Sequence, residues 1–106
     1  MALSIIQRKT DKYNRECFLC RRENPFAELR HDGLEKHHFM HGTANRRLAE
    51  QYGLWGYLCS RHHQNGPEAV HNNHETDLLL MRTAQWEFEK LYGHEKWMDV
   101  FGKNFL

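Results

Sequence analysis

Cys17 and Cys20 are separated by two residues, and Cys59 and His62 repeat that spacing after a long gap. Three thiols and an imidazole in two tight pairs form the donor set of a tetrahedral structural zinc site. A CxxC turn delivers two thiolates to one side of an ion, and a second such turn closes the tetrahedron. Histidines crowd the same stretch. The chain holds nine, and all but His94 fall between His31 and His74. His37 and His38 are adjacent, His63 directly follows His62, and His71 lies eight positions further on. This pattern predicts a second, open metal centre lined by His37, His38, His63 and His71. A divalent ion held by few protein groups keeps positions for water and a phosphate oxygen. A neutral histidine beside it can deprotonate the attacking water. The expected chemistry is metal-assisted phosphodiester hydrolysis. A thioredoxin-type redox role for the CxxC would need a βαβ setting, which the pattern does not supply.

The elements must bring these residues together. Residues 1–16 read as an arm that packs loosely or contacts a partner, and residues 17–106 as one domain that includes the C-terminal helices. Glu23 to Gly33 reads as a loop with one helical turn at Phe26 to Leu29. Leu34 to Met40 is expected as a strand. Thr43 caps a helix to Tyr52 with Ala44, Leu48 and Tyr52 on one face, and Gly53 stops it. Leu54 to Leu58 is the second strand, leading through Cys59 into a two-residue turn that presents His62 and His63. Glu68 to Asn73 is a short turn or helix carrying His71. Leu80, Ala84, Phe88 and Leu91 mark a helix from Glu75 to Tyr92. A shorter helix, Glu95 to Phe101, ends at Gly102. Trp86, Trp97 and Phe101 read as packing residues. Neighbouring strand residues face opposite ways, so His37 and His38 can share one centre only at a strand end or across a bulge.

At 106 residues the chain has room for one α+β domain with a small core, which a bound metal would staple. The net charge of +1 does not advertise a polyanion partner. The basic pairs Arg21-Arg22 and Arg46-Arg47 divide between solvated surface and phosphate contact. Arg46, Arg47 and His41 are the DNA-contact candidates. An odd cysteine count without a signal peptide points to a reducing cytoplasm, and no apolar run reaches membrane-spanning length. His31, His74 and His94 are expected to be solvated. Asp32 and Glu35 are weaker candidates as partners of the metal-binding histidines.

The segments Leu34-Glu35-Lys36-His37-His38-Phe39, Gly42-Thr43-Ala44-Asn45-Arg46-Arg47, Tyr57-Leu58-Cys59-Ser60-Arg61-His62-His63 and Val70-His71-Asn72-Asn73 together resemble the HNH endonucleases. The likeness is to small phage-encoded members with a zinc knuckle, and the tail Phe101 to Leu106 shares it. The resemblance implies a ββα-metal finger that cleaves DNA, with His38 as general base and His37, His63 and His71 at the metal. It implies Asn45 as the middle asparagine that orients His38, since Leu54 occupies the place where many relatives carry that residue. It further implies structural Zn2+ and a catalytic Mg2+ or Mn2+, with Zn2+ or Ni2+ as alternatives. A phage or host recombination or packaging protein is the implied partner, in the cytoplasm of a bacterial host. Two rival readings remain at this stage: a zinc-stabilised binding module without turnover, and a nuclease active only with a partner.

Overall fold

The computed structural model describes residues 3–106; Met1 and Ala2 of the expected arm lie outside the described residues. The chain runs α1 (Phe18–Glu23), β1 (Leu34–His38), α2 (Thr43–Tyr52), β2 (Trp55–Cys59), a π-helical turn (Arg61–Asn65), α3 (His74–Tyr92) and α4 (His94–Phe101). The architecture is α+β. β1 and β2 pair antiparallel, with Leu34 opposite Cys59 and His38 opposite Trp55. Both strands are shorter or shifted by a residue or two from the expected spans. Phe39 N–H still donates to Leu54 O at 2.9 Å, so the ladder runs one bond past the strand ends.

Helix α2 forms where expected, but its start differs. Gly42 precedes the first turn without a side-chain cap, and Thr43 is already helical. The inward stripe is Asn45, Leu48, Ala49 and Tyr52, with Ala44 exposed. That stripe follows the 3,1,3 spacing of one helical face. α3 is capped by Asn73, whose side chain accepts from Thr76 N–H. Its buried face is Leu80, Ala84, Gln85 and Phe88, while Leu91 is exposed. Phe88 meets Trp97 of α4 at 5.4 Å and Tyr52 of α2 at 5.1 Å, so one aromatic knot joins three helices. Trp97 and Phe101 pack as expected, with ring centroids 4.2 Å apart. Trp86 does not pack as expected; its α3 position points away from that face and it is exposed. Buried Gln85 explains the tail: it accepts from Phe105 N–H at 2.7 Å and donates to Asn104 Oδ1 at 2.7 Å. A buried amide is retained because each of these groups finds a partner.

The expected helical turn at Phe26 to Leu29 is absent; the chain turns once at Pro25-Phe26 and then runs irregularly. Residues 3–16 are not a loose arm. Ile5 and Ile6 pack on the core. Ser4 Oγ donates to Trp55 O at 2.6 Å, and Tyr57 N–H donates to Gln7 Oε1 at 2.9 Å. The segment thus covers the outer edge of β2, which would otherwise expose unpaired backbone groups. Gly53 makes the docking possible. It ends α2 in the left-handed conformation, φ 74°, accepts from Ile5 N–H at 2.9 Å, and any Cβ there would collide with the Leu3 backbone. Gly102 ends α4 in the same left-handed conformation, φ 70°, but with open space around it. Gly53→Ala is therefore expected to cost about 2 kcal/mol or more, combining the left-handed penalty with the clash, and Gly102→Ala only the former. Urea unfolding of both variants checks this; equal losses would mean the arm contact contributes nothing.

Among the described residues no helix is long and apolar enough to cross a membrane.

Candidate metal centres

The first centre is built by three elements. Cys17 caps α1, and its Sγ accepts from Cys20 N–H at 3.4 Å. Cys59 ends β2, and His62 sits in the π turn. His62 Nδ1 lies 3.4 Å from Cys17 Sγ, 3.4 Å from Cys20 Sγ and 3.3 Å from Cys59 Sγ, while Cys20 and Cys59 sulfurs are 3.7 Å apart. A tetrahedral ion with bonds of about 2.3 Å to sulfur and about 2.0 Å to nitrogen sets sulfurs roughly 3.8 Å apart and sulfur to nitrogen roughly 3.5 Å. The four side chains therefore form a group able to hold a metal ion, as the sequence spacing predicted. The three cysteines form no disulfide.

The electrostatics fit a cation as well. Burial pushes the Cys17 thiol up, and burial plus the neighbouring thiols push Cys20 up to about 12. Burial also raises Cys59, but the His62 backbone and ring and the other two cysteines reverse this and lower it to about 7. Three thiolates cannot crowd together without a positive charge among them, so metal binding must displace protons here. His62 Nε2 donates to Glu23 Oε2 at 2.8 Å; the carboxylate can only accept, so Nδ1 keeps its lone pair toward the sulfurs. Glu23 carried no sequence signal as this partner, being thirty-nine positions away.

The π turn separates two adjacent histidines into two centres. Its widened coil closes with Gly66 N–H donating to Arg61 O at 3.0 Å, and a Cβ on Gly66 would meet that same carbonyl. His62 faces the sulfurs, and His63 faces β1. A two-residue turn was expected here. The longer coil also leaves carbonyls for the returning chain to bind. Val70 N–H donates to His62 O at 2.8 Å and His71 N–H to His63 O at 3.4 Å. Asn72 Nδ2 donates to Gln64 O at 2.6 Å. The segment after Pro67 is a series of turns rather than a helix. These bonds fold it back so that His71 stands beside His63.

His37, His63 and His71 each place one ring nitrogen within 4.8 Å of the others. His63 Nε2 and His71 Nε2 are 3.1 Å apart, between the roughly 3.0 Å of octahedral and the roughly 3.4 Å of tetrahedral neighbours bound at about 2.1 Å. His63 Nδ1 donates to Glu35 Oε1 at 3.3 Å, which leaves Nε2 with its lone pair aimed at His71. Glu35 thus has the partner role that its place before the strand's histidines suggested; Asp32 instead pairs with Arg30. His37 Nε2 is buried with no hydrogen-bond partner, an expense that a bound ion would remove. Burial, then the His63, His41 and His71 rings, press His37 down to about 3, so it stays neutral and keeps its lone pair. Burial and the His63 ring lower His71 in the same direction. His37 and His63 are buried while His71 is exposed, so the group has a closed side and an open one.

The open side is a cleft of about 360 Å³ whose lining includes His37, His38, His41, Arg46, His63 and His71. His38 is the last residue of β1, which resolves the facing problem: at the strand end both His37 and His38 reach the same cleft. His38 Nε2 donates to Glu50 Oε2 at 2.7 Å, leaving Nδ1 as the lone-pair nitrogen. Lys36 Nζ donates to the other Glu50 oxygen at 2.9 Å. Burial opposes ionisation of Glu50, but Lys36 and His38 outweigh it and hold the carboxyl below its usual range. Asn45, expected to orient His38, makes no hydrogen bond to it among the described residues; Glu50 of the same helix holds that place. No local spacing betrayed Glu50, because the bond crosses from a strand end to the last turn of α2. His41 Nε2 donates to Asp77 Oδ1 in the first turn of α3. Arg47 is exposed and is not part of the cleft lining. His74 and His94 are exposed, as expected. His31 is exposed too, its ring 3.1 Å from Arg15 O.

Compared with protein-family models, curated proteins and solved structures, the chain matches none.

Proposed function

We propose that this chain is a metal-dependent endonuclease of the HNH type that hydrolyses DNA phosphodiester bonds. On this reading β1, β2 and the following helical segment are its ββα-metal finger. The observation that supports it most is the convergence of His37, His63 and His71 in one open cleft with His38, whose Nε2 is already taken by Glu50. Few binding modules need three lone-pair nitrogens and an oriented fourth imidazole around a solvent-facing cavity.

Cys17, Cys20, Cys59 and His62 would hold structural Zn2+. His37, His63 and His71 would hold the catalytic divalent ion, Mg2+ or Mn2+ ahead of Zn2+ or Ni2+. When bound, that ion supplies positive charge for the phosphate and the leaving oxygen. The chain's own residues do the rest. His38 takes the proton of the attacking water at Nδ1, the only ring nitrogen left free. Glu50 is a positioning residue that locks the tautomer and the ring plane, much as a carboxylate does for a catalytic imidazole elsewhere. Arg46 lines the cleft and meets a phosphate oxygen, with His41 beside it under the hold of Asp77. A recombination or packaging partner, a phage origin and a bacterial cytoplasm rest on the resemblance alone.

Supercoiled plasmid incubated with the protein in Mg2+, Mn2+ or no added metal tests the reading. His38→Ala should slow nicking by roughly a hundredfold to ten-thousandfold. Glu50→Gln, which keeps shape and a hydrogen bond but not the charge, should slow it by about ten- to a hundredfold. Circular dichroism should be unchanged in both. A folded, metal-loaded wild type that nicks nothing under any cation would instead favour a binding module or a nuclease active only with a partner.

A further inference from the structure

A second cleft lies away from the histidine centre and shares no lining residue with it. It has a volume of about 680 Å³ and is lined by residues 6–9 of the arm together with Glu16, Phe18, Arg21, Arg22 and Pro25. A neighbouring recess of about 400 Å³ continues it over α3, sharing Ile6, Phe18 and Arg22 and adding Arg82 and Trp86. The arm that forms one wall is fixed by its bonds to β2, so the cleft is part of the fold.

The charges along it are unbalanced. Its two carboxylates are already engaged: Glu16 holds Arg21 at 2.5 Å, and Glu87 accepts from Lys90 at 3.1 Å. Among the described residues the side chains of Arg8, Lys9 and Arg22 make no hydrogen bond or ion pair, and all three are exposed. The floor is apolar, from Ile6 and Phe18. Two large aromatics stand exposed around it: Trp86 at 57 %, and Phe26, next to Pro25, at 97 %. Lys90 Nζ stands 5.6 Å over the Trp86 ring. Free cations on the rim and exposed rings beside an apolar floor match a strand whose phosphates alternate with unpaired bases. A duplex hides the faces that such rings would stack on.

We propose that this groove binds single-stranded nucleic acid, with phosphates at Arg8, Lys9 and Arg22 and a base on Trp86. The choice of nucleic acid over other polyanions rests on the nuclease reading above. The groove would then hold an unpaired segment of the same DNA that enters the histidine cleft.

The test is binding of a fluorescein-labelled oligothymidine of about twenty nucleotides, followed by anisotropy across a salt series, in protein carrying His38→Ala so that nothing is cut. Adding Arg8→Glu, Lys9→Glu and Arg22→Glu should lower affinity more than about tenfold and flatten the salt slope by about two units, for three lost phosphate contacts. Trp86→Ala should cost at least about fivefold. Wild-type affinity and slope in both variants would overturn the groove. Equal competition by a duplex would overturn the preference for an unpaired strand, and equal competition by polyglutamate would point to an acidic protein instead. The two readings fail separately. Strand binding that depends on the groove, with no nicking by the wild type, sinks the nuclease and keeps the groove. Nicking with strand affinity untouched by the groove variants does the reverse.

Discussion

Removing the zinc proposed for the cluster of Cys17, Cys20, Cys59 and His62 should unfold this domain. The cluster ties α1, the end of β2 and the π turn to one point. α1 has six residues, far too few to persist alone in water. The π turn is five residues long and has no side-chain cap at its start. Apparent binding energies of structural zinc run to about 10–16 kcal/mol, as large as the whole stability of an ordinary domain. Chelation should therefore abolish most of the helical circular dichroism in step with the loss of bound zinc, and added zinc should restore it. Cys59→Ser should behave like the chelated protein. A stripped protein that keeps its ellipticity and still melts cooperatively would show that the aromatic knot of Tyr52, Phe88 and Trp97 suffices without the metal.

His63→Ala should leave that first centre filled and empty the second. His63 is the middle of the histidine group: its Nε2 is 3.1 Å from His71, its ring centroid is 5.3 Å from that of His37, and Glu35 holds its other nitrogen. Its loss removes one ligand and the ring against which His71 packs, centroids 4.7 Å apart. Tightly bound metal should stay at one zinc per chain, while Mn2+ binding measured by calorimetry disappears. On the proposed nuclease reading, nicking should fall by about a thousandfold or more, since ion-assisted charge stabilisation is worth several kcal/mol and each 1.4 kcal/mol is about tenfold. Glu35→Gln should give a milder loss of about ten- to a hundredfold, through orientation alone. Undiminished Mn2+ binding and nicking within a few-fold of wild type in His63→Ala would remove the histidine group from the chemistry. The contrast between Cys59→Ser and His63→Ala is informative because their positions are four apart, yet one should cost the fold and the other only the activity.

The Cys3His set was legible because ligand type and spacing within each knuckle are local properties, whereas the division of the other histidines into ligands and base came from the family resemblance. A CxxC turn presents two sulfurs together whatever surrounds it, and Cys59 and His62 are equally close in the chain. Helices α2, α3 and α4 were legible for a similar reason. Their apolar period and their terminal glycines, Gly53, Gly93 and Gly102, act within a few residues. Errors arose where one position could serve two faces. Ala44 and Leu91 fit a helical stripe on paper, but the packed stripes run through Ala49 and through Gln85 and Phe88. Trp86 looked like a core residue because its type is apolar; its face of α3 decided otherwise.

What the amino-acid order determined by itself was the inventory: a Cys3His donor set, a surplus of histidines beside it, one small α+β domain, and its helices. Tertiary structure alone decided how the donors are held. Glu23, Glu35 and Glu50 each take one nitrogen of a histidine, thirty-nine, twenty-eight and twelve positions away respectively, and that choice fixes which nitrogen remains free. The arm proved to be an edge cover and a groove wall because β2 left its outer backbone unpaired. A carboxylate's partner depends on where two chain segments meet after folding, and no spacing within either segment encodes that meeting.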